Sequence, residues 1–162
     1  MKKTMRKMFM LFTASVLLTL TLIHVSQSVS TNQIELTRHD VFALIEGYFK
    51  NYDALDWRYR TMTTTEVKKL IEEFLKERRL YKEDFYDCDD FAFEFKVFAS
   101  KRGLTAVGIV NNANKEAAHM FNVIITAEKK LMLFDATTGL FEEFGTQKEK
   151  KYELGPGAYL II

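Results

Sequence analysis

The chain has 162 residues, 48% of them hydrophobic and 28% charged, with one proline, seven glycines and one cysteine. That balance fits one globular domain and excludes disordered, collagen-like and disulfide-stapled architectures; a single cysteine also rules out an intrachain disulfide and a Cys-type zinc site. The formal charge is +1, but Lys2, Lys3, Arg6 and Lys7 all fall in the first thirty residues, which hold no acid, so the remainder is net acidic and does not suggest a nucleic-acid partner.

Residues 1–30 read as a targeting segment. A basic start precedes an apolar run from Met8 to Val25, and polar Ser26-Gln27-Ser28-Val29-Ser30 follows. Ser26 and Ser28 suit the small positions of a cleavage site, and the run is also long enough to span a bilayer. A signal peptide and an uncleaved N-terminal membrane anchor both fit. Either makes residues 31–162 one extracytoplasmic domain, secreted or anchored, touching membrane only through residues 1–30. Outside the cytoplasm an odd cysteine is a candidate reactive thiol or intermolecular bridge, or else a buried small hydrophobe.

The first half of the body has helical period. Asp40 can cap a helix with an apolar face of Val41, Leu44, Ile45, Tyr48, Phe49 and Tyr52. Thr63-x-x-Glu66 is a capping-box pattern opening an amphipathic helix through Val67, Leu70, Ile71, Phe74 and Leu75. Between them, Trp57 and Tyr59 with Arg58 and Arg60 suit an interhelix loop or an aromatic platform for a saccharide or peptide. Asp87 can cap a third helix, with Asp90 completing a box-like pair. Cys88 then takes the first helical position, on the face of Phe91, Ala92, Phe95 and Ala99.

After Gly103 the period changes to strands: Thr105–Val110, His119–Thr126, Leu131–Asp135, Leu140–Phe144 and, after Gly155-Pro156-Gly157, Ala158–Ile162. Helices followed by strands predict an α+β fold, N-terminal helices packed on an antiparallel β-sheet. On a hairpin of the second and third strands, His119 and Asp135 share a face if the connecting loop has an odd length. If the Cys88 helix packs on that face, cysteine, histidine and aspartate converge. A thiolate nucleophile needs a base to take its proton, which His119 supplies, and a carboxylate to hold the imidazole, which Asp135 supplies. The acidic group Asp87, Asp89, Asp90 and Glu94 lacks the central glycine and closing glutamate of an EF-hand loop, so no metal and no other cofactor is expected.

Four segments carry a family resemblance: Tyr86-Asp87-Cys88-Asp89-Asp90-Phe91-Ala92, Gly108-Ile109-Val110, His119-Met120-Phe121-Asn122, and Leu133-Phe134-Asp135-Ala136-Thr137-Thr138-Gly139. Together they resemble the transglutaminase-like superfamily of papain-like folds, in its small microbial and phage form. The resemblance implies a transglutaminase-like core and thiol acyl chemistry by a Cys88–His119–Asp135 catalytic triad, as a cysteine protease, other amide hydrolase or acyltransferase acting on a peptide, protein or cell-envelope substrate. The Cys88 backbone N–H would donate to the oxyanion, and Trp57 or Tyr86 would supply a second oxyanion or substrate contact. The alternative is a non-catalytic ligand- or saccharide-binding module on the same fold.

Overall fold

A computed structural model describes residues 34–83, 85–113 and 118–162. The described residues all fall in one compact unit. The expected signal peptide or anchor lies outside the described residues. Among the described residues, no helix is long and apolar enough to cross a membrane.

The elements run β1 (Ile34–Thr37), α1 (Arg38–Ile45), β2 (Asn51–Asp53), β3 (Arg58–Thr61), α2 (Thr64–Glu77), α3 (Cys88–Lys101), β4 (Val107–Asn112), β5 (His119–Ile125), β6 (Leu131–Asp135), β7 (Leu140–Glu143) and β8 (Tyr159–Ile161). A 3₁₀ turn covers Lys150–Tyr152. A six-stranded sheet has the order β2-β8-β4-β5-β6-β7, and β1 and β3 form a separate antiparallel pair. Within the large sheet β2 lies parallel to β8, while the other neighbours are antiparallel.

This corrects the expected fold class. The N-terminal half is not a run of helices, because β1, β2 and β3 interleave with them. The large sheet is mixed rather than antiparallel, and sheet dominates the architecture. The cause lies in pairing over long sequence distance. β2 is only Asn-Tyr-Asp, and its partner Tyr159–Ile161 lies at the far end of the chain. β3 alternates, with Tyr59 and Thr61 buried and Arg58 and Arg60 exposed, so the supposed interhelix platform is half core.

Local chemistry fixes the helix starts. Thr37 caps α1 and Asp40 returns a bond to the Thr37 N–H at 2.9 Å, so Asp40 is the third helical residue rather than the cap. The helix stops at Ile45, which leaves Tyr48 and Phe49 in the following turn and Tyr52 on β2. Thr63 and Glu66 form the same reciprocal box on α2.

Apolar groups cover both faces of the large sheet. Helices α2 and α3 bring Phe74, Phe91 and Phe95 against Ile124, Met132 and Phe134 on one face. The other face, with Phe121, Val123 and Leu133, packs against α1, Leu36, Tyr59, Phe144 and Tyr152. Gly108 lies where β4 meets this second layer. A Cβ there would stand 2.5 Å from Leu160 Cδ1 and 3.2 Å from the Ile161 carbonyl, so glycine leaves the space that the Leu160 side chain of the neighbouring β8 fills.

Candidate functional site

Asp87 caps α3 by accepting the Asp89 N–H at 3.4 Å, a single bond rather than a box with Asp90. Cys88 therefore opens the helix, where its backbone N–H has no intrahelical acceptor and the helix dipole favours negative charge. The body of α3 packs on the Ile124 and Phe134 face of the sheet, opposite to the face of His119. This differs from the packing expected from sequence. Only the first residue of the helix reaches the histidine, at the end of β5 where that strand begins.

The β5–β6 register pairs Asn122 with Phe134 and Val123 with Leu133. One step further along, Asp135 comes opposite Phe121, so Asp135 and His119 are diagonal neighbours on one face. His119 Nε2 lies 3.0 Å from Asp135 Oδ2. With Nε2 so occupied, Nδ1 is the ring nitrogen left for Cys88, whose thiol hydrogen-bonds the His119 side chain, and the Met120 backbone N–H donates to the same sulfur. The structure thus brings Cys88, His119 and Asp135 together.

The electrostatics follow from those bonds. The bond with His119 holds the Cys88 thiol below its ordinary range, against an opposing contribution from burial. Burial alone would depress His119, but its bonds to Asp135 and Cys88 outweigh that and push it up to about 9. Burial works against ionised Asp135, yet hydrogen bonds from His119, Tyr152 and the Thr138 N–H hold it well below the carboxylate range. These bonds shift Cys88 toward the thiolate and His119 toward the imidazolium, with the buried Asp135 carboxylate beside them.

Trp57 and Tyr86 have other surroundings. Trp57 is 77% exposed, with the Arg38 guanidinium 5.1 Å from its ring. The Tyr86 hydroxyl donates to the Glu94 carboxylate, and burial together with that bond raises it above its ordinary value. Its one proton is spent on Glu94 rather than offered beside Cys88. Asp87, Cys88 and Asp89 set one potential ligand atom each within 4.8 Å of one another. Asp87 already serves as a cap, and Asp89 is raised by its hydrogen bond with Asp87.

Two residues at this site escape sequence reasoning. The Tyr152 hydroxyl donates to Asp135 Oδ2 at 2.6 Å. Asn112, which sequence puts in a loop, is the buried last residue of β4 and bonds the segment that carries Tyr152. The only signal available for Asn112 was its strand-length distance from Thr105. Tyr152 had none.

Beyond this centre, a cleft of about 290 Å³ opens beside Tyr152, lined also by Tyr48, Gln147, Lys148, Glu149 and Glu153. A smaller one of about 110 Å³ shares Tyr48 and Leu154 with it. Tyr48 is 49% exposed, its ring set edge-on against Phe144 at 5.2 Å.

No family model matches the chain, and no curated protein matches it. Solved structures do share its fold. One is described as a PSL1a-E64 complex, with 16% identity and a TM-score of 0.63; it covers 79% of this chain and 51% of that one. Another is Polyporus squamosus lectin bound to the human-type influenza-binding epitope Neu5Acα2-6Galβ1-4GlcNAc, with 16% identity and a TM-score of 0.61, covering 79% of this chain and 49% of that one. The chain thus spans about half the length of these structures. One of these chains is named as a lectin and neither as a transglutaminase-like protein, which corrects the resemblance to the transglutaminase-like superfamily and its papain-like core. The cysteine-protease, hydrolase and catalytic-triad identities implied by that resemblance are corrected with it.

Proposed function

We propose that residues 33–162 form a non-catalytic saccharide-binding module. The observation that carries this reading is the fold shared with a lectin whose structure holds a sialylated trisaccharide. The chain's own surface supports it. The clefts around Tyr48 combine an exposed aromatic ring with Gln147, Glu149, Glu153 and Asn51, whose amides and carboxylates can bond sugar hydroxyls. An aromatic ring supplies an apolar face for the C–H side of a pyranose. The ligand class is carbohydrate, cell-envelope glycan included, met outside the cytoplasm as the basic–apolar segment 1–30 suggests. A glycan-array screen of the full chain tests this. Binding to defined glycans, weakened roughly tenfold by Tyr48→Ala, is expected, since loss of one stacking contact is worth about 1.4 kcal/mol. An array with no retained glycan would remove the reading.

A second reading is favoured by one specific arrangement, the bonded set Cys88–His119–Asp135. It makes Cys88 a nucleophile for acyl groups. The thiolate sulfur would bond a carbonyl carbon, the leaving group would take the proton on His119, and a thioester would remain on Cys88. The Cys88 backbone N–H can stabilise the oxyanion. The pH dependence of Cys88 alkylation tests this reading independently of any glycan.

A further inference from the structure

Asp135 is held on both oxygens. Oδ1 accepts the backbone N–H groups of Thr137 at 2.9 Å and Thr138 at 3.2 Å. Oδ2 bonds His119 Nε2 at 3.0 Å, accepts the Tyr152 hydroxyl at 2.6 Å, and has Lys151 Nζ at 3.4 Å. One oxygen therefore serves the histidine and a buried tyrosine together. The Tyr152 ring also stands edge-on to His119 at 5.8 Å and to Phe121 at 5.6 Å.

Neither β5 nor β6 supplies this hydroxyl. It arrives on the 3₁₀ turn Lys150–Tyr152, in a strap pinned by one buried side chain. Asn112 Nδ2 donates to the Lys151 and Glu153 carbonyls at 2.9 Å each, and its Oδ1 accepts the Gly155 N–H at 3.0 Å. All three bonds are local to the strap, so Asn112 sets its height over the sheet.

We propose that Tyr152 is a positioning residue for the Cys88 thiol: delivered by the Asn112-pinned strap, its hydroxyl fixes the Asp135 oxygen that orients His119 and takes up part of that oxygen's charge. The proposal rests on the second reading above, in which Cys88 is an activated nucleophile. The charged and titratable groups facing the pair are Cys88 and Asp87 from α3, Asp135 from β6, and Lys151 beside Tyr152 on the strap. Tyr152→Phe removes one hydroxyl and leaves the ring and every formal charge in place. Asp135 Oδ2 then lends more of its charge to the imidazolium, so His119 becomes more basic.

The experiment is a proton–carbon NMR titration of the His119 ring in the full chain, assigned with His119→Gln, alongside the pH profile of Cys88 alkylation. In Tyr152→Phe the His119 midpoint is expected to rise by roughly half a unit or more, part of the worth of a hydrogen bond to a charged group. Asn112→Ala should move it the same way if that variant folds; Tyr152→Phe suffices if it does not. A lower melting temperature with an unchanged His119 midpoint would make Tyr152 a packing residue and overturn the proposal, as would a midpoint that falls. If wild-type His119 and Cys88 titrate as ordinary side chains, the nucleophile reading fails and this proposal with it. If they are shifted but Tyr152→Phe is indistinguishable from wild type, the proposal alone fails.

Discussion

At His119 burial and pairing pull in opposite directions, and pairing wins. A half-buried imidazole ordinarily loses its proton more easily, yet bonds to Asp135 and Cys88 raise this one to about 9. The same hydrogen bond lowers Cys88. The two groups titrate as a coupled pair, so one measured profile belongs to both. Iodoacetamide alkylation of Cys88 should therefore show its inflection below the ~8.5 of a free thiol. His119→Ala should return it toward that range, because only the Met120 N–H bond then opposes burial and the Asp87 charge. An ordinary inflection in the wild-type chain would contradict that shift. Sequence made these three residues legible because each sits at an element boundary with its own signal: a cap before Cys88, the start of β5 and the end of β6. The proposed contacts of Trp57 and Tyr86 were not legible. Their partners, Arg38 and Glu94, were chosen by the three-dimensional path of the chain rather than by spacing from Cys88.

At the scale of the element, amphipathic period and capping located α2 and α3, because those signals lie within one element. The strands that sequence missed have partners elsewhere. Tyr52 pairs with Leu160, and Leu36 pairs with Tyr59 across α1. β4 likewise extends to Asn112, since the polar Asn111 and Asn112 pair with Met120 and His119. Polarity at this strand end marks a pinning role instead of a loop. Gly108 supplies a test of how tightly the elements meet. A methyl group there would force the Leu160 side chain to move and would press on the Ile161 carbonyl of β8. Gly108→Ala should therefore lose about 1–3 kcal/mol in urea unfolding, the usual range for overpacking. A change below about 0.5 kcal/mol, the size of a neutral surface substitution, would mean that β8 can retreat.

For the whole molecule, sequence conveyed the strands that follow Gly103, but neither the strands set among the early helices nor the mixed sheet, and the family resemblance it carried was not to the solved structures that share the fold. Short motifs around reactive residues report local geometry, and different architectures can present the same geometry. Global stability should carry the mark of the buried carboxylate. Asp135 is held below its ordinary 3.8, so it contributes stability above that pH and loses it as pH falls further toward its folded value. Thermal melts should show a steep decline below about pH 4, and Asp135→Asn, less stable at neutral pH, should show a shallower acid limb. Equal acid slopes would place the responsible carboxylates elsewhere.

Saccharide binding by this domain is read without an intermediary by calorimetric titration of the full chain. The glycan retained on the array, and Neu5Acα2-6Galβ1-4GlcNAc as the sugar seen on the related lectin, would each be titrated into wild type, Tyr48→Ala and Cys88→Ser. Saturable binding of at least one glycan is expected, weakened roughly tenfold by Tyr48→Ala and unchanged by Cys88→Ser. No heat from any glycan at millimolar concentration, with Cys88 nonetheless alkylating as an activated thiol, would contradict it and leave the nucleophile as the function of the site.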